Sequence, residues 1–179
     1  MKTVLFVLRL ALTLLAITAV VAVALAGVNM ITAPAIAELN AQNTQAAIEA
    51  VLPGGGEELA SFPAVNLVSK VYASDAGYAV QVTPGGFDNT ITMMVGVDKS
   101  GNVLGIDVIS HSETAGLGAV ADAETPAGIA FREQFKGVTG SVSVTKDGGQ
   151  MDAITGATIT SRAICAGVNA ALDCVANMG

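Results

Sequence analysis

The chain has 179 residues, is 52% hydrophobic but only 4% aromatic, and carries a net charge of −7 from 8 basic and 15 acidic residues. The acidity argues against nucleic-acid binding, which needs clustered Lys and Arg to neutralise phosphates. One histidine, His111, and two cysteines, Cys165 and Cys174, with no C-x-x-C and no Cys/His cluster, argue against a zinc or iron–sulfur site made by this chain alone.

The N-terminal run "MKTVLFVLRLALTLLAITAVVAVALAGVNMITAPAIAE" has no charge from Leu10 through Ala37, and roughly 20 apolar residues suffice to cross a bilayer. Lys2 and Arg9 precede the run and Glu38 is the first charge after it. The positive-inside rule then leaves the N-terminus in the cytoplasm and exports the remainder. A cleaved signal peptide is the rival reading, because Ala24–Ala26 has the A-x-A form of a cleavage site. The apolar stretch is long for a signal core. The expectation is a retained single-pass anchor over residues 1–37 in the cell (inner) membrane, with lipid as one partner. Both readings place the following domain outside the cytoplasm.

Asn40–Leu52 reads as a short amphipathic helix with Ala46, Ile48, Val51 and Leu52 on its apolar side. "PGGG" at Pro53–Gly56 ends it as a flexible joint, making 38–64 a helical linker. Four runs rich in Val, Ile, Tyr and Thr follow: "NLVSKVYA", "GYAVQVT", "TITMMVGVD" and "VLGIDVIS". Turn residues at Asp75–Gly77, Pro84–Gly86 and Asp98–Asn102 separate them, predicting an antiparallel meander with Met93 and Met94 in its core. "TPAGIAFREQFKG" predicts a short helix burying Ile129, Phe131 and Phe135, "SVSVT" another strand, and "KDGGQMD" a turn. From Ser161 onward Ile164, Val168, Ala171, Leu172 and Val175 recur at helical spacing, and Thr160 or Ser161 is placed to cap that helix. The two cysteines, nine residues apart, fall on opposite faces of it and cannot bridge, so two buried thiols are expected. The fold class is α+β: an N-terminal transmembrane helix, then an antiparallel sheet with a packed C-terminal helix.

"DAITGATITS", Asp152–Ser161, holds more hydroxyls than a turn needs. A turn at Gly156 and a cap at Thr160 or Ser161 leave Thr155 and Thr158 without a duty. A helix N-terminus offers free N–H groups and a partial positive charge, so it favours a phosphate. A hydroxyl just upstream is placed to carry one covalently.

Asp152–Thr160, "DAITGATIT", resembles the flavinylation motif D-x-x-[ST]-G-A-[ST]-x-[ST] of FMN-binding domains, matching at every fixed position. "HSETAGLGA" at His111–Ala119 is similar to the H-x-E-T-P-G-L-G loop of the RnfG branch of that family, which is related to NqrC. The segment from Gly77 to His111 resembles the family's sheet, and the likeness extends from about Val65 to the C-terminus. Ala115 stands where the loop usually has proline, and Asp88–Asn89 where Gly-Gly is frequent. The resemblance implies an extracytoplasmic FMN-binding domain over 65–179, with FMN joined by a flavin transferase to Thr158 through a phosphoester. Thr155, Gly156, Ala157, Thr160 and Ser161 would surround the attachment, Asp152 would complete the motif, and Glu113, Thr114, Leu117 and Gly118 would lie at the flavin, Glu113 ordering its loop. Thr155 is expected to hydrogen-bond within its turn. Arg162 is a candidate partner for the phosphate and His111 for a proton relay, each against an ordinary structural role. The implied function is electron relay in a multi-subunit Rnf-type complex that couples ferredoxin:NAD⁺ electron transfer to Na⁺ or H⁺ translocation. No substrate-converting site and no metal is expected in this chain. An NqrC-like subunit of a Na⁺-translocating NADH:quinone reductase, a stand-alone anchored flavoprotein feeding an extracytoplasmic reductase, and a non-redox binding module are the alternatives.

Overall fold

The computed structural model describes residues 2–178, with side chains from Phe6 onward. The side chain of Lys2, half of the charge signal for topology, lies outside the described residues. Helix α1, Lys2–Val51, contains a span from Phe6 long and apolar enough to cross a membrane. Its large apolar side chains from Phe6 to Leu39 are exposed, the pattern of a helix whose solvent is lipid. The chain divides into two compact units, Met1–Gln42 and Asn43–Gly179.

No separate helix forms over Asn40–Leu52, contrary to expectation. The Ala-, Gln- and Glu-rich stretch before Val51 contains no helix breaker, so α1 runs through it. The chain turns at Gly54 and Gly55, whose φ angles of 94° and 72° suit glycine. Ala47, Ile48, Val51 and Leu52 form the buried stripe; Ala46, expected in it, is exposed.

Five antiparallel strands form a meander in the order β1-β2-β3-β4-β5. They are β1 Glu57–Glu58, β2 Val68–Ala73, β3 Gly77–Val82, β4 Thr92–Asp98 and β5 Val103–Ser110. β1, two exposed glutamates, was not expected, being too short to show a period. Alternation sorts the side chains onto two faces. Tyr72, Ala79 and Met94 pack with the apolar stripe of residues 47–52, while Val80, Met93, Val95 and Ile106 join the larger cluster on the other face. The β4–β5 hairpin closes as its turn residues imply, with Asp98 Oδ1 accepting from Ser100 N at 2.8 Å and Asn102 N at 2.9 Å.

Helix α2, Pro126–Glu133, starts at an N-cap Thr125 whose hydroxyl accepts from Gly128 N, with proline in the first turn. Phe131 and Phe135 are buried edge to face, 5.5 Å between centroids. Ile129 is exposed, not buried as expected, because the helix is only two turns long and turns just one edge inward. The expected strand "SVSVT" does not join the sheet. Its main chain is paired elsewhere: Val142 N donates to Asn169 Oδ1 (2.8 Å) and Asn169 Nδ2 donates to Val142 O (2.9 Å), while Met151 N donates to Ser143 O (3.1 Å) and Thr145 N to Met151 O (2.9 Å) in an isolated parallel bridge.

Helix α3, Thr158–Ala176, begins three residues before Ser161. Ile164, Val168 and Ala171 are fully buried in the larger cluster. Cys165 and Cys174 are both free and both buried, and burial pushes the Cys165 thiol up to about 11. α3 is long and apolar enough to cross a membrane, but most of it is covered by its own domain, which marks it as a core helix.

Candidate functional site

The N-terminal end of α3 faces a cleft of about 400 Å³, within the roughly 300–1,000 Å³ range of small-molecule sites. Phe87, Glu113, Thr114, Leu117 and Gly118 line it together with Lys146 and the 156–160 segment at the start of α3.

The turn before α3 is built for glycine. Ala157 N donates to Ile154 O at 2.9 Å, and Gly156, third in that turn, has φ 77°. The helix then begins at Thr158 with Ala157 as N-cap, and no side chain caps it. The expected cap, Thr160 or Ser161, is therefore corrected. Thr160 is buried one turn in, and its hydroxyl donates to Glu113 Oε2 at 2.5 Å. Ser161, also buried, donates to Ala157 O and accepts from Ile154 N, both at 3.0 Å, so it ties the turn to the helix from behind. An uncapped start leaves the N–H groups of Thr158, Ile159 and Thr160 without intrahelical acceptors, pointing toward the cleft end of the helix.

Glu113 joins three segments. Its Oε1 accepts from Phe87 N at 2.8 Å, its Oε2 takes the Thr160 hydroxyl, and its own N–H donates to His111 Nδ1 at 3.1 Å. Gly86 and Gly118 make room for it: a Cβ at either would collide with its carboxyl oxygens. The network fixes Phe87 at the cleft, where it is 67% exposed. Leu117 and Ile159, also exposed, add apolar surface there. His111 Nε2 is 3.8 Å from Asp122 and outside the cleft lining.

Thr158 lines the cleft beside Lys146, its Oγ1 accepting from Lys146 Nζ at 3.1 Å. Arg162 is committed elsewhere: its Nε and one Nη each donate to Asp147 at 2.7 Å, and that hydrogen bonding lowers the Asp147 pKa below the ordinary aspartate value. Thr155 makes no hydrogen bond within its turn among the described residues; it is exposed and faces a neighbouring groove with Asp152, Ile154 and Gln134. The Gln134 side chain holds the Asp152 backbone at both N–H and C=O (2.7 and 3.3 Å), leaving the Asp152 carboxylate exposed. Of the residues singled out in sequence, Glu113, Thr114, Leu117, Gly118, Gly156, Ala157, Thr158 and Thr160 meet at one cleft, Ser161 lies behind it, and Asp152 and Thr155 lie beside it. Lys146 and Phe87 were missed. Neither carries a motif, although a lysine in an acidic domain and an aromatic in a nearly aromatic-free chain were visible signals. A larger, more open groove of about 720 Å³ runs between Lys99–Gly101 and the C-terminal half of α3; it has neither the uncapped helix start nor the exposed Phe87 ring.

The cleft fits FMN by its chemistry: exposed apolar side chains for a flat ring, and free amides, an ammonium and a hydroxyl for a phosphate. Residues 86–173 match the FMN-binding domain family. Over its length the chain is 32% identical to the G component of the Na⁺-translocating ferredoxin:NAD⁺ oxidoreductase complex of Acetobacterium woodii, with 96% of this chain and 93% of that protein aligned. It is also 46% and 40% identical to the G components of the ion-translocating oxidoreductase complexes of Yersinia pestis and Vibrio vulnificus, over segments that cover 52% of this chain and 47% and 46% of those proteins. A cleft suited to FMN, a matching FMN-binding domain and a full-length likeness agree, and the chain belongs to the RnfG family, the G components of ion-translocating oxidoreductase complexes.

Proposed function

We propose that this chain is the flavin-bearing RnfG component of a membrane complex in which electron transfer between ferredoxin and NAD⁺ drives Na⁺ or H⁺ across the membrane. The name of the Acetobacterium woodii relative, similar along nearly the whole chain, is the observation that carries this reading. Residues 1–37 serve as a single-pass anchor with the N-terminus in the cytoplasm, 38–64 as connector and 65–179 as the extracytoplasmic FMN domain. FMN is joined to Thr158 as a phosphoester by a flavin transferase. When bound, FMN supplies electron storage and transfer. Thr158 holds the phosphate end, Phe87, Leu117 and Ile159 offer apolar surface to the ring, and Glu113 keeps the loop carrying Phe87 against the first turn of α3. Covalent attachment keeps a soluble cofactor from being lost outside the cytoplasm. Other subunits of the complex supply the NAD and iron–sulfur sites.

Affinity purification of the full chain from native membranes tests the assignment. It should recover further membrane subunits and ferredoxin-dependent NAD⁺ reduction, and Thr158→Val should recover the same subunits without that activity. Recovery of the chain alone, or undiminished activity in Thr158→Val, would contradict the reading.

A further inference from the structure

Among the described residues from Asn43 onward, six side chains are Lys or Arg: Lys70, Lys99, Arg132, Lys136, Lys146 and Arg162. Four are in ion pairs, with Glu58, Glu124, Glu133 and Asp147. Lys99 stands in the β4–β5 hairpin, whereas Lys146 stands at the cleft and donates to Thr158 Oγ1. Lys146 makes no close ion pair among the described residues, and its ammonium stands beside a hydroxyl and an uncapped helix start, where an anion is favoured. The segment bearing it is held firmly. Thr145–Asp147 forms a 3₁₀ turn ended by Gly148 at φ 83°, Thr145 N donates to Met151 O at 2.9 Å, and the two Asp147–Arg162 bonds fasten that turn to the first turns of α3.

Resting on the reading of Thr158 as the attachment site, we propose that Lys146 is the cationic partner of the phosphate on Thr158, and that the Asp147–Arg162 pair is the strut that positions it. An ammonium has three donors. One already reaches Thr158 Oγ1, and two remain for the phosphate oxygens, alongside the free amides of α3. Arg162 is a positioning residue: its Nε and one Nη are held by Asp147, and it does not line the cleft where Thr158 and Lys146 meet. Without it, the Asp147 carboxylate, next to Lys146 in the chain and already within its electrostatic reach, would be released to compete with the phosphate for it.

Amine-reactive labelling with peptide mass mapping tests this on the full chain in detergent, made with and without the flavin transferase. Lys146 is exposed before loading and should label readily, as should Lys99. Loading should lower Lys146 labelling several-fold and leave Lys99 unchanged, and Arg162→Gln should weaken that protection. Lys146→Met should slow flavin loading several-fold, and Lys146→Arg should recover most of the rate. Equal Lys146 labelling in loaded and unloaded protein, or Lys146→Met loading at the wild-type rate, would overturn the role of Lys146 while leaving the attachment at Thr158 standing. A wild-type chain that takes up no covalent flavin would overturn both.

Discussion

Three threonines sit within six residues at the start of α3, and their surroundings give them three different tasks. Thr155 is exposed beside a separate groove, Thr158 meets Lys146 in the cleft, and Thr160 is buried against Glu113. Spacing alone made Thr160 a helix cap, the role its residue type favours. The chain instead spends its hydroxyl on a carboxyl group that also holds the Phe87 loop. Thr160→Val keeps shape but leaves that buried carboxyl short of a donor, which should cost about 1–3 kcal/mol. Urea unfolding of the domain should show that loss, with covalent flavin still present at Thr158. Unchanged stability would mean that the Glu113–Thr160 bond contributes nothing.

At the scale of elements, the sheet is covered on both faces by helices of unlike origin: the last turns of α1 on one side and α3 on the other. Gly96 in β4 is where the first of these contacts is tightest, since a Cβ there would collide with the Val51 carbonyl. Gly96→Ala should push those turns off the sheet and lower stability by about 1–3 kcal/mol, read as a fall in urea midpoint; an unshifted midpoint would show that the contact yields freely. The four long strands and both domain helices were legible in the sequence, because their periods are long enough to show. The role of "SVSVT" was not, because it depends on the Asn169 side chain and on Met151, which pair its main chain in place of a sheet strand. Nor was Lys146: its position at Thr158 follows from a turn fastened by Asp147 to Arg162, a pairing that spacing does not reveal.

For the whole molecule, the apolar span of α1 and the flavin cleft belong to one chain, so the side of the membrane on which the cleft lies decides which electron carriers reach it. Protease added to cells with a permeabilised outer envelope should digest the domain beyond Glu38, and protection until the inner membrane is broken would reverse the orientation. The chemistry of the cleft turns on one oxygen atom, Thr158 Oγ1. Full-length protein made with its flavin transferase, denatured and weighed intact, should exceed the unmodified chain by one FMN less one water. Its fluorescent peptide should contain the modification on Thr158, and Thr158→Val should carry none. A flavin freed by denaturation, or one mapped to Thr155 or Thr160, would contradict the account.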